Sequence, residues 1–164
     1  MFRFRRIDIE NDKKMLLEFH CRINYDSETP YMRRLTYEEY RDKWFSTQQP
    51  KSYLSDLEKT MKESESIAEI LEDGNAIAGY LWVRFTNVQD YSIKIAEIMD
   101  ITVVGDYQRR GIGTMMLRHL EEVAKNRGAS LLRSDTGIEN TASRKLHKSF
   151  GFKPYRINYE KILQ

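Results

Sequence analysis

The chain has 164 residues, 27 basic and 25 acidic, for a formal net charge of +2. This length suits a single domain over residues 1–164 with a substantial core, and the balanced charge gives no case for binding nucleic acid. Hydrophobic residues make up 40% and charged residues 32%, as in a water-soluble globular chain, and the lone Cys21 excludes an internal disulfide. Met1 to Arg6 alternates aromatic and basic residues, and no apolar run suggests a signal peptide or membrane span. A cytoplasmic protein with no membrane partner is expected.

Phe2 to Ile9 alternates like a first strand. Asn11 or Asp12 then caps a helix through about Arg22, with Met15, Leu16 and Phe19 on its apolar face. Asn24 to Arg34 reads as a loop. Thr36 with Glu39 makes a capping box for a helix carrying Tyr37, Tyr40, Trp44 and Phe45. A third helix past Pro50 carries Tyr53, Leu54, Leu57 and Met61. The period then changes: Ile67 to Leu71 and Ala76 to Phe85 read as a hairpin turning at Glu72 to Asn75. Ile93 to Val104 is the next strand. An amphipathic helix from about Thr114 to Arg127 buries Met116, Leu117, Leu120, Val123 and Ala124, and Gly128 ends it. Ser130 to Asp135 is a strand, Thr141 to Ser149 a helix, and Phe152 to Leu163 a closing strand on the alternation of Tyr155, Ile157 and Tyr159. This order predicts a mixed α/β (α+β) layer fold. A central, mostly antiparallel twisted sheet of six to seven strands would be flanked by helices.

The run Gln108-Arg109-Arg110-Gly111-Ile112-Gly113-Thr114 carries the most chemistry. It joins a strand to a helix, and a helix start offers unpaired amides and the positive end of the dipole to phosphate oxygens. Its two glycines allow close backbone approach. Arg109 and Arg110 add charge suited to phosphate, and Thr114 adds a hydroxyl. A Walker loop is excluded, since no Gly-Lys-Ser/Thr follows. A dinucleotide fingerprint would use Gly111, Gly113 and Asp135, but its third glycine position is Met116. The first glycine also trails the apolar strand by several residues. Plain turn punctuation before a helix is the remaining alternative.

From Ile95 to Phe152 the chain resembles the GNAT superfamily of acetyl-CoA-dependent N-acyltransferases. The likeness rests on four segments in order. These are the strand end Asp100-Ile101-Thr102-Val103, the Gln/Arg-x-x-Gly-x-Gly/Ala match at Gln108 to Gly113, Asn140-Thr141-Ala142, and Leu146 to Phe152 with its Gly151-Phe152. The resemblance implies acetyl-CoA as cosubstrate, no metal, and direct acetyl transfer to a primary amine of a small molecule or peptide. It implies that Ile101, Thr102 and Val103 offer backbone to the acetyl group and pantetheine. Gln108 to Thr114 would hold the pyrophosphate, with Asn140, Ser143 and His147 lining the coenzyme groove. Arg144 and Lys148 are surface charges within reach of a coenzyme phosphate. A catalytically silent acyl-CoA sensor of the same fold is the alternative, and a homodimer is an admissible assembly.

His147 stands where the family most often has tyrosine, commonly the general acid for the leaving thiolate. A neutral imidazole still donates from one nitrogen, so assisting the thiolate and merely capping the groove both stay open. An attacking amine must lose a proton, and the candidate bases are Glu97 and Asp100 on the strand before the loop. Glu97 lies eleven residues before Gln108, the spacing of the base in histone-type members. In an unbroken strand the two carboxylates face opposite ways, but the family's bulge here would reverse parity. Tyr25, Glu28, Tyr31, Met32, Trp82 and Arg84 are candidate acceptor-wall residues; none selects a particular acceptor.

Overall fold

The computed structural model describes residues 1–63 and 65–163. Five strands form one sheet in chain order: β1 (Phe2–Arg6), β2 (Ile67–Asp73), β3 (Ala76–Val88), β4 (Ile93–Val103) and β5 (Leu131–Arg133). The first four pair antiparallel, and β5 lies parallel to β4. Helices α1 (Ile9–Ser27), α2 (Tyr37–Phe45) and α3 (Gln49–Lys62) fill the path from β1 to β2. The crossover from β4 to β5 is α4 (Ile112–Asn126), and α5 (Thr141–Ser149) follows β5.

Alternation along the strands separates two cores. Leu81, Val83 and Ile98 pack with Met116, Leu117 and Leu120 of α4 on one face. Tyr80 and Trp82 pack with Leu16 of α1 and Tyr53 and Leu57 of α3 on the other. Met116 seats directly on the strand because Gly79 is opposite it: a Cβ on Gly79 would fall 2.8 Å from the Met116 sulfur and from the Thr102 carbonyl. Close helix–strand contact is thus made with the small residue on the strand, where a dinucleotide fold puts it on the helix.

Local signals fare unevenly. The Thr36–Glu39 capping box forms as expected. α1 instead begins three residues early, because Asp8 accepts from the Glu10 and Asn11 amides. Asp12 is taken by Arg5 through two bonds of 2.7 and 2.8 Å. α1 also runs to Ser27, through part of the expected loop. None of the described helices is long and apolar enough to cross a membrane.

The expected six to seven strands are five among the described residues. Residues 152–163 form no strand, and the last backbone hydrogen bond there is Phe152 N to the His147 carbonyl. Tyr155, Ile157 and Tyr159 are 61%, 74% and 91% exposed. The segment touches the body where Glu160 accepts from the Tyr31 amide (3.2 Å) and where the Arg133 guanidinium covers the Tyr155 ring (5.2 Å). Alternation suits a strand but does not make one without a partner edge, and β5 is only three residues long.

Candidate active site

The sheet opens between β4 and β5. Their ladder ends at Glu97–Arg133, while β4 continues to Val103 against β3. From Ile98 onward one edge of β4 therefore has no strand beside it. Ile101 and Val103 pair with Leu81 and Gly79, and their side chains pack in the α4 core. What they offer the opening is main chain, as the resemblance implies. The Gln108 side chain turns back to donate to the Val103 carbonyl (3.0 Å).

Next to this edge lies the glycine loop. Arg109 and Gly111 both take left-handed backbone, with φ of +58° and +78°, which alternates the direction of successive peptide groups. Gly111 is the N-cap of α4 and supplies no side-chain cap. Among the described residues, no N–H from Arg109 to Thr114 has an acceptor; the first bond of the helix is Met115 N to the Gly111 carbonyl. Six successive amides at a positive helix end suit a pyrophosphate, so the residues present fit coenzyme A. Gly113 serves packing: a Cβ there would fall 2.9 Å from Leu146 of α5. The Arg109 and Arg110 side chains are exposed, and the Arg110 guanidinium lies over the Tyr107 ring. Arg144 is occupied by the Ile138 carbonyl (3.0 Å).

α5 forms the far wall. Asn140 caps it by accepting from the Ser143 amide (3.1 Å). The His147 ring is held at both nitrogens, Nδ1 at 2.8 Å from the Ser143 carbonyl and Nε2 at 2.8 Å from Ser134 Oγ. A carbonyl only accepts, so Nδ1 carries a proton, and in the neutral ring Nε2 accepts from the Ser134 hydroxyl. Ser134, just past β5, is a neighbour that sequence reasoning missed.

The expected bulge is present. Trp82 pairs with Asp100 and Val83 with Ile98, leaving Met99 as the extra residue. Glu97 consequently pairs with Arg84, Asp100 with Trp82 and Thr102 with Tyr80, all on the face toward α1 and α3. The two carboxylates thus share a face but differ in setting. Glu97 is half-buried, flanked in register by Arg84 and Arg133. Asp100 is buried, and its Oδ2 meets His20 Nδ1 at 2.7 Å and the Tyr80 hydroxyl at 3.0 Å.

His20 was also missed. The signal was there, since it lies one turn past the buried Leu16, and an imidazole beside an apolar stripe asks for a partner. Its ring stacks on Tyr53 at 3.9 Å, with Trp44 and Trp82 at 6.0 and 6.3 Å. Of the expected acceptor wall, Tyr25 and Trp82 are core residues, and Met32 packs against Cys21, Tyr25 and Trp44. Glu28 is tied to the Tyr40 hydroxyl, while Tyr31 stands half in solvent.

A mixed sheet open between β4 and β5, beside a run of unpaired amides, fits an acyltransferase fold, and comparison with known proteins agrees. The model of the Acetyltransferase (GNAT) family matches residues 30–152, most of the chain. The chain belongs to the GNAT acetyltransferase family. It is 39% identical over 57 residues to the [ribosomal protein bS18]-alanine N-acetyltransferase of Salmonella typhimurium, covering 35% of this chain and 38% of that protein. It is 28% identical over 95 residues to the aminoglycoside N(6')-acetyltransferase type 1 of Klebsiella aerogenes, covering 57% of this chain and 62% of that one. The matched stretch is thus less than two thirds of either relative. Among solved structures, AAC(6')-Iy in complex with a CoA-S-monomethyl-acetylneamine bisubstrate analog superposes with a TM-score of 0.68 at 16% identity, over 99% of both chains. A transcriptional regulator from Bacillus halodurans C-125 superposes at 0.69 with 20% identity, over 99% of this chain and 100% of that one. These two likenesses concern the fold alone.

Proposed function

We propose that this protein transfers the acetyl group of acetyl-CoA to a primary amine of a small molecule or peptide, by direct attack in a ternary complex. The observation that carries this reading is the free edge of β4 leading into six unpaired amides at the start of α4. Acetyl-CoA supplies the activated thioester. The amides of residues 109–114 bind its pyrophosphate, and the main chain of residues 101–103 orients the pantetheine and the acetyl carbonyl. A single donor aimed at the developing oxyanion contributes about 3 kcal/mol. A carboxylate on β4, Glu97 or Asp100, accepts the proton of the acceptor ammonium, directly or through an intermediary. His147 assists departure of the thiolate in its protonated form, in which Nε2, an acceptor from Ser134 in the neutral ring, becomes a donor. None of these steps calls on a metal, so EDTA leaves the rate unchanged.

Thermal shift tests the coenzyme half. Acetyl-CoA at a hundred times Kd adds about 2.7 kcal/mol, or about 5–10 °C for a chain of this size; NAD leaves the midpoint in place. Thiol release is then followed with neamine, glucosamine 6-phosphate and a peptide beginning with alanine. Binding without thiol release for any amine would point to an acyl-CoA sensor. For His147→Phe we expect a lower kcat with an altered pH profile, and full turnover at every pH removes the thiolate role. Cytoplasmic location and a homodimer complete the proposal. The exposed alternating residues 155–159 support the dimer, and light scattering tests it.

A further inference from the structure

We propose that His20 Nε2 is the atom that takes the proton from the acceptor ammonium, with Asp100 as the buried residue that positions it. This rests on the acetyltransferase reading and deepens it by naming the group between β4 and the acceptor.

Burial decides which member of the pair meets the acceptor. The Asp100 side chain is 1% exposed and the His20 side chain 17%. Asp100 therefore has no surface to present to an amine, whereas His20 does. The exposure reaches the nitrogen that matters. Among the described residues His20 Nε2 makes no hydrogen bond, and the sealed, unpartnered side-chain nitrogens are those of Trp44 and Trp82 only.

Hydrogen-bond polarity sets the tautomer. The Tyr80 hydroxyl donates to Asp100 Oδ2 at 3.0 Å. With that proton committed, Tyr53, 2.8 Å away, donates to Tyr80. Burial first, and the Asp100 charge second, hold both phenols far above the ordinary tyrosine range, so both remain donors. The chain Tyr53, Tyr80, Asp100 ends on a carboxylate oxygen that also meets His20 Nδ1 at 2.7 Å. Nδ1 is then the protonated nitrogen, and the lone pair of the neutral ring sits on Nε2. Tyr53, stacked at an interplanar angle of 10°, fixes the ring plane.

Position completes the case. Asp100 is the first residue after the bulge, directly before the stretch 101–103 whose edge is free. The step balances: the N–H bond of the acceptor ammonium breaks and its proton goes to Nε2. The freed lone pair forms the C–N bond as the thioester C–S bond breaks. The acetylated nitrogen then gives up its second proton, which neutralises the departing thiolate, and His20 returns the first to solvent. The groups facing the His20–Asp100 pair are Tyr53 from α3 and Tyr80 from β3, with the indoles of Trp44 (α2) and Trp82 (β3). The guanidinium of Arg84 lies 5.9 Å from the Trp82 ring centre.

Thiol release by the full chain tests this, with acetyl-CoA and whichever of neamine, glucosamine 6-phosphate or the alanine peptide it turns over. His20→Gln is expected to lower kcat/KM about a hundredfold, to remove the acidic limb of the pH profile and to leave the KM for acetyl-CoA within twofold. Asp100→Asn is expected to lower kcat and reshape the same limb. An acidic limb kept by His20→Gln and lost in Glu97→Gln overturns the proposal in favour of Glu97. Nitrogen-15 NMR of histidine-labelled wild type gives a readout that needs no acceptor. Neutral His20 should carry its proton on Nδ1, and Asp100→Asn should weaken that preference; a proton on Nε2 overturns the assignment. Loss of acetyl-CoA stabilisation in wild type would count against the acetyltransferase reading itself, and is separable from either result.

Discussion

The two sides of the cleft are made of different material. The coenzyme side is main chain: the edge of β4 beyond its ladder with β5, and the amides of residues 109–114, which have no acceptor among the described residues. The acceptor side is side chains from four elements, α1, α3, β3 and β4, closed into a buried chain of hydrogen bonds, with His20 and Asp100 80 residues apart. Amides that wait for a ligand add little to the fold, whereas a buried polar network is part of what holds it together. Substitutions should therefore separate the halves, changing coenzyme affinity on one side and stability together with turnover on the other.

Tyr80→Phe should show the largest effect. It removes the donor to Asp100 and leaves the Tyr53 hydroxyl without its acceptor, both in sealed surroundings. Each orphaned group costs about 1–3 kcal/mol, so urea unfolding should show a total loss of about 3 kcal/mol. The Kd for acetyl-CoA should stay within twofold. A loss too small to measure would erase the contrast. The reverse case is Gly111→Ala. Open space surrounds its Cβ position, so the only penalty is left-handed backbone, about 1 kcal/mol. Re-aimed amides should raise the Kd for acetyl-CoA about tenfold, equivalent to about 1.4 kcal/mol.

The same division explains what could be read from the chain. The loop, its helix and the strand before it are contiguous, and their chemistry depends on backbone shape, which Gly111 announces. The bulge came from resemblance, and it does bring Glu97 and Asp100 to one face. His20 showed in the sequence only as an imidazole beside an apolar stripe, and its role lies in Asp100, Tyr53 and Tyr80, which the tertiary fold brings together. Gly113 misled in a smaller way. It reads as room for a ligand, but the space it leaves is filled by Leu146. Tyr155, Ile157 and Tyr159 misled through periodicity, which reports a preference for pairing without supplying the partner.

Ser134→Ala tests the join between the halves, because Ser134 follows β5 and bonds His147 of α5. One neutral hydrogen bond of about 1 kcal/mol corresponds to about a fivefold fall in kcat. The Kd for acetyl-CoA and the unfolding midpoint should barely move. An equal rise in Kd would place the pair in coenzyme binding and take it out of thiolate departure.

Acid should loosen the acceptor side first, by the smallest of these effects. α1, which carries His20, is tied to the sheet through Arg5, which bonds Asp12 of α1 and Glu72 of β2, and to α2 through Glu18 and Arg41. Burial opposes ionisation of Asp12, but Arg5 and the Asp8 amide outweigh it and hold the carboxyl below its usual range. Arg41 does the same for Glu18, and Arg5 with Arg3 for Glu72. Carboxyls depressed in the folded state contribute stability that is full above their unfolded values, about 4, and is lost as the pH falls through the folded ones. The pairs are partly exposed, so solvent screens them and each contribution is modest. The amides of residues 109–114 have no such ties. Hydrogen exchange from pH 5 to pH 3, corrected for intrinsic rates, should show α1 and α2 opening before α4. Because His20 rides on α1, turnover should fall in that range while acetyl-CoA still binds; α4 opening first would reverse the assignment of stability to the acceptor side.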